Sequence, residues 1–195
     1  MKGSVAAPSQ PAVARRHLLM LMAGAACAAQ AGPSAAKSAR DIALDARTAL
    51  DRLYAVRPEA RSWGRNAKAI MVFPSIVKAG FMIGGQTGEG AMFVRGAPIG
   101  FYRISAASFG LQAGAQSFSY AMFYMTDSAV EYAKSSKGWA VGSGPSVVVM
   151  DEGKAKNMNT TTLRKDIYAV AYGQQGLMGG LGMEGSKISR IHPDP

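Results

Sequence analysis

Two histidines and one cysteine are all this 195-residue chain has of the side chains that most often serve as nucleophile, general base or transition-metal ligand. His17 and Cys27 lie within the first thirty residues, and His192 stands in the closing stretch Arg190-Ile191-His192-Pro193-Asp194-Pro195. A catalytic triad needs a nucleophile, a base and an orienting group, and an ordinary zinc site needs three or four ligands. Neither can be assembled from this supply. The acids are scattered singly or sit adjacent, as Asp151 and Glu152 do, and no spacing favours a two-carboxylate hydrolase. The run Gly180-Leu181-Gly182-Met183-Glu184-Gly185 matches the G-x-G-x-x-G pattern, which in a dinucleotide site opens a helix that holds the pyrophosphate. Here Ser186-Lys187-Ile188-Ser189-Arg190 follows and alternates like a strand, so the run reads as a glycine hairpin. The expectation is a non-enzymatic protein with no cofactor, no metal and no small-molecule substrate.

The N-terminus explains why so much of that supply is irrelevant. A polar stretch from Met1 to Ala14 leads to Arg15-Arg16, then to the apolar run Leu18 to Ala26, then to small residues around Ala29-Gln30-Ala31. This is the order of an export signal, and the apolar run is too short to span a bilayer. The expected organisation is a signal over 1–31 (1–26 for a lipoprotein), a flexible tether over 28–37 and a single domain over 38–192. Arg15-Arg16-His17-Leu18-Leu19 resembles a twin-arginine signal, leaving that route and the general secretory route both open. Cys27, just after Gly24-Ala25-Ala26, resembles the acylated cysteine of a lipoprotein; the alternative is that it is discarded with the signal by cleavage after Ala31. Lipidation at Cys27 and a periplasmic or outer-membrane-anchored location are therefore expected. With no second cysteine, no disulfide framework can form in that oxidising compartment.

Cationic side chains are plentiful. Three of the 22 basic residues and none of the 12 acidic ones leave with the signal, so the formal net charge falls from +10 to +7. Export argues against nucleic acid as the partner, and no aromatic stacking motif accompanies the Lys and Arg residues. An anionic phospholipid membrane is the nearer partner. Arg57, Arg61, Arg65 and Lys68 cluster in sequence around Trp63, an aromatic suited to the headgroup level. These five are the expected headgroup contacts, with Arg47 and Arg52 in second rank.

The elements that must position these residues follow from periodicity. Ser38 with Asp41 three residues later signals a helix N-cap, and Ile42, Ala46, Ala49, Leu53 and Val56 recur at helical spacing up to Pro58. The opposite face mixes Lys37, Arg40, Arg47 and Arg52 with Asp41, Asp45 and Asp51, which suits a helix packed on a core. A short turn or helix after Pro58 carries the basic cluster. From Ala69 onward glycines punctuate short apolar stretches, the signature of strands and turns. Strands are expected at 70–73, stopped by Pro74, at 79–83 and 91–94 around a hairpin over 84–90, and at 101–106, 110–115 and 119–124. Further strands are expected at 146–150, 167–172, 176–181 and 187–191, with a surface loop over 151–163. One later helix is expected over 126–134, capped by Thr126. The predicted fold is α+β, mostly β: a glycine-rich antiparallel sheet of short strands, curled into a barrel or sandwich. An N-terminal amphipathic helix and one mid-domain helix pack against it.

Several of these stretches, taken in order, resemble the SYLF domain. They are Ala67-Lys68-Ala69-Ile70-Met71-Val72-Phe73-Pro74, Lys78-Ala79-Gly80-Phe81, Gly84-Gly85 with Gly88 and Gly90, and Ser108-Phe109-Gly110-Leu111-Gln112-Ala113-Gly114. Gly144-Pro145, Tyr172-Gly173 and Gly176-Leu177 continue the order. Where the family has an acidic or polar residue and Asp, this chain has Gln116-Ser117-Phe118-Ser119-Tyr120. The resemblance implies a binding module: eukaryotic members bind phosphoinositides and other acidic phospholipids, partly through an amphipathic N-terminal helix, and some bind actin. Bacterial members are exported envelope proteins regarded as lipid-binding. The implied function is recognition of acidic phospholipid headgroups at a bacterial envelope, with a structural or protein-interaction module as the alternative.

Overall fold

The computed structural model describes residues 36–150, 165–176 and 185–195, with 81–82 and 108–113 as backbone alone. The export signal, Cys27, the expected loop over 151–163 and nearly all of the glycine run over 180–185 lie outside the described residues.

Helix α1 (Ala39–Val56) begins where the cap signal places it, with Ser38 Oγ accepting the amide of Asp41 at 3.2 Å. The amide of Ala39 donates to the carbonyl of Asp194 at 2.7 Å, so the C-terminal stretch fastens the start of the helix. Ile42, Ala46, Ala49 and Leu53 are buried at the expected spacing, whereas Val56 is 69% exposed. A second helix, α2 (Glu59–Asn66), follows directly.

Two strands dominate what comes next: β1 (Ala69–Val94) and β2 (Ala97–Tyr124), paired antiparallel along their whole length. The expected stop at Pro74 does not occur. Among the described residues strand β1 pairs only with β2, and the register shifts between Phe73 and Ile76, so the missing N–H of Pro74 falls at a bulge. Nor do 84–90 form a hairpin. The turn is Arg95-Gly96, with φ of +49° and +80°, the pair of positive values that a two-residue type I′ hairpin turn requires.

Gly88 and Gly90 serve close approach instead. A Cβ on Gly90 would lie 2.1 Å from the carbonyl oxygen of Val72, and one on Gly88 would lie 2.6 Å from that of Ser75. The second half of β1 thus folds back across the first, and the sheet curls into a half-barrel.

The remaining elements are α3 (Asp127–Ser135), capped by Thr126 as expected, β3 (Trp139–Ala140), β4 (Val147–Met150), β5 (Ile167–Gly176) and β6 (Lys187–Ile191). Among the described residues six strands form one sheet, in the order β3-β6-β2-β5-β4 with β1 on the other edge of β2. The sheet departs from pure antiparallel pairing at its β4–β5 edge, which is parallel. Such a pair needs a crossover of about a dozen residues or more, and 151–166 supply that length.

Side chains alternate between two buried faces. Val72, Phe93, Phe123, Tyr168 and Val170 pack under α1 and α2, with Leu53 and Trp63 closing that layer. Met71, Phe73, Met92, Tyr102, Tyr120 and Tyr124 face the inside of the curl, where Val130 of α3 and Trp139 join them. Burial holds the tyrosine hydroxyls of Tyr102, Tyr120 and Tyr124 above their ordinary pKa, so they remain neutral.

Candidate functional site

Helix α1 lies against β1, and the end of that strand brings the Arg95-Gly96 turn beside the helix. Arg47, one helical face away from the buried Ile42–Leu53 stripe, donates through Nη2 to the carbonyl oxygen of Gly96 at 2.6 Å. Its guanidinium also lies over the Phe93 ring, 5.6 Å from the centroid. Helix α2 then delivers Arg65 in its last turn, and the extended link into β1 delivers Lys68.

These elements enclose a cleft of about 450 Å³ in which Arg47, Arg65, Lys68 and Arg95 converge, with Asp51 as the acid in the lining. Among the described residues Arg65 and Arg95 have no carboxylate within ion-pair distance, and Lys68 reaches only the well-exposed Asp127, at 3.7 Å. An exposed pair of that kind is weak and exchangeable.

Tyr54 forms part of the wall. Burial raises its pKa, Arg61 opposes that rise and Asp51 adds to it, so the hydroxyl is a neutral donor. Gly64 makes room for it: a Cβ there would come within 2.2 Å of the Tyr54 hydroxyl oxygen. Arg61 sits outside this wall with its guanidinium over the Tyr54 ring, 5.3 Å from the centroid.

Of the residues expected to contact headgroups, the fold thus unites Arg47, Arg65 and Lys68 in one cleft and holds Arg61 at its edge. It separates the others. Trp63 is 0% exposed, locked edge-to-face against Phe123 at 5.9 Å, so it belongs to the core and not to a headgroup surface. Helical geometry is the reason, since Ala60 and Trp63 share the face of α2 that packs on the sheet. Arg57 caps the end of α1 and is only 8% exposed. Arg52 lines a different cleft, of about 490 Å³, beside Ser119 and Tyr172.

Arg95 was missed by reading the run 57–68 as the cationic patch, because its partners are distant in sequence. No Asn-Gly or Asp-Gly pair marks the Arg95-Gly96 turn, so its neighbours in sequence gave no local pointer to it. Among the described residues no three His, Cys, Asp or Glu side chains come together as a metal-binding group. No described helix is long and apolar enough to cross a membrane.

Residues 105–192 match the family model Ysc84, described as Las17-binding protein actin regulator. Over that segment the chain is similar to the SYLF domain. The SYLF match begins in the middle of β2 and takes in α3 and β3–β6, so the helices and the turn that build the cationic cleft precede it. No curated protein matches the chain.

Proposed function

We propose that this protein is a non-enzymatic module that binds acidic phospholipid headgroups in the cleft formed by Arg47, Arg65, Lys68 and Arg95. The observation that carries the reading is Arg95. A non-glycine residue at φ +49° is held against its conformational preference, and its side chain stands where three further cations converge. Phosphate groups suit such a site, because arginine offers a fork of donors and lysine a compact charge. Each cation near an anionic surface contributes on the order of 1 kcal/mol, so the cluster outweighs the single Asp51.

In this reading the chain is exported to a bacterial envelope and held there as a periplasmic or outer-membrane lipoprotein through Cys27. An acyl chain alone holds a protein only marginally, and the cleft adds the second contact. Co-sedimentation of the full chain with vesicles of neutral phosphatidylcholine, with and without phosphatidic acid, tests the headgroup reading at low salt. Preferential sedimentation with the acidic vesicles, lost as salt rises, is expected; equal partitioning would sink it. Mass spectrometry of the native N-terminus tests the anchor.

The description of the Ysc84 model favours a second reading, a protein-interaction module that grips a cytoskeletal or envelope protein through the 105–192 segment. Co-sedimentation with actin filaments, and pull-down from envelope extract, discriminate. Retention of a stable partner by a variant lacking the cleft cations supports this second reading over the first.

A further inference from the structure

Arg47 lines a second concavity as well as the cationic cleft. On its other side an open groove of about 520 Å³ runs between α1 and the start of β2. The helix wall is the stripe Arg40, Ala43, Leu44 and Arg47, at the three- and four-residue spacing that puts side chains on one helical face. Pro98 and Phe101 form the opposite wall. Leu44 is 61% exposed, the second most exposed α1 apolar side chain after Val56 at 69%, and it projects into this groove.

The lining is mostly apolar, with Ala39 and Pro195 beside the residues already named, and its two cations, Arg40 and Arg47, stand seven residues apart on α1. Arg47 itself is immobilised between the two concavities by its bond to Gly96 and its stacking on Phe93. One guanidinium N–H goes to Gly96, and an arginine has five. Among the described residues no second hydrogen-bond acceptor is recorded for this guanidinium, which suits it to an anion at the boundary.

We infer that cleft and groove are one bipartite site for a single phospholipid molecule, with the phosphate among Arg47, Arg65, Lys68 and Arg95 and an acyl chain along Leu44 and Phe101. This rests on the headgroup reading above and adds to it that the lipid is taken as a molecule, not only as a charged surface. The continuity through Arg47 and the charge placement decide the occupant. An amphiphilic anion needs adjoining cationic and apolar compartments, whereas a flat membrane surface needs no groove and a neutral apolar ligand needs no arginines in its lining.

The test is calorimetric titration of the full chain with glycerol 3-phosphate, dibutanoyl phosphatidic acid and dihexanoyl phosphatidic acid, all kept below micelle-forming concentration. Affinity is expected to rise along the series by up to about fourfold for each methylene that enters the groove. Leu44→Gln, at an exposed position that leaves the fold intact, flattens the series while glycerol 3-phosphate binds as before. Arg65→Ala weakens every member. Dihexanoyl phosphatidylcholine binds more weakly than the acid of equal chain length. A flat series with glycerol 3-phosphate still bound overturns the groove and leaves the headgroup site standing. Equal binding of the choline and acid lipids overturns the bipartite assignment, and binding of no member overturns both.

Discussion

The guanidinium of Arg47 on α1 and the carbonyl of Gly96 at the β1–β2 turn are joined by a 2.6 Å hydrogen bond, and the turn's other residue, Arg95, faces the same cleft. The bond couples the position of one cleft cation to that of another. Arg47→Lys keeps the charge but loses the planar fork. The expected outcome is a stability loss of about 1 kcal/mol in urea unfolding, with weaker binding to phosphatidic-acid vesicles despite unchanged net charge. Unaltered vesicle binding would show that charge alone, without placement, suffices.

Arg95 offers a cleaner separation of folding from function. Type I′ turns favour Asn or Gly at this position, since a longer side chain in the left-handed region costs about 1 kcal/mol. Arg95→Asn is therefore expected to raise the unfolding free energy by up to about 1 kcal/mol while lowering affinity for acidic vesicles about fivefold. Thermal unfolding and co-sedimentation on the same sample check both signs. A variant that loses stability and keeps binding contradicts the assignment.

Trp63 and Trp139 are both buried. Adding acidic vesicles is expected to leave the tryptophan emission maximum where it was, since neither ring reaches the headgroups. Trp63→Ala removes a fully enclosed side chain and should cost about 3–5 kcal/mol. A blue shift on vesicle addition would return Trp63 to the lipid contact.

The crossing of β1 over itself makes a sharp contrast between two glycines. At Gly90 an added Cβ meets backbone, at 2.1 Å from the Val72 oxygen, and nothing there can yield cheaply. Gly90→Ala is expected to cost more than about 3 kcal/mol or to abolish folding. At Gly85 the nearest atom would be the Ala106 oxygen at 3.4 Å, an ordinary contact. Gly85→Ala is expected to change stability by less than about 1 kcal/mol. Calorimetric unfolding of the pair decides the matter; similar losses at both positions would mean that the strand crossing is not the source.

Asp166 ties the end of α3's cap to the start of β5. Its carboxylate accepts from the Ser146 amide at 3.0 Å, the Ser146 hydroxyl at 2.8 Å and the Thr126 hydroxyl at 3.3 Å, and the Ser146 bonds above all hold its pKa below the ordinary value. A folded-state pKa below the unfolded one contributes stability that is fully present above about pH 4 and is lost as pH falls through the folded value. Urea midpoints measured from neutral pH down to strong acid should show this component vanish in Asp166→Asn. A variant with the full acid dependence of the parent would exclude Asp166 as its source.

Local rules made part of this protein legible from its residues. The cap at Ser38, the buried stripe Ile42-Ala46-Ala49-Leu53, the cap at Thr126 and the mostly-β class depend on neighbours a few residues apart, and each reappears in the structure. The SYLF resemblance, carried by the order of its glycines, is met over 105–192, while the stretches quoted from 67–90 lie outside that match.

What only tertiary structure decided is what each glycine and each arginine is for. A glycine suits a turn and a backbone crossing equally well, so nothing local told Gly88 and Gly90 from Gly96. The long β1–β2 pairing settled it by pressing the former against Val72 and Ser75 and leaving the latter at the turn. An arginine's charge is likewise independent of its direction. Trp63 is turned inward by helical geometry and Arg57 is buried at the end of α1, while Arg47 and Arg95, far apart in the chain, meet because a strand of the length of β1 ends beside α1. The amino acids determined that the surface would be cationic; the fold decided which cations share a cleft, because that depends on where the strands end.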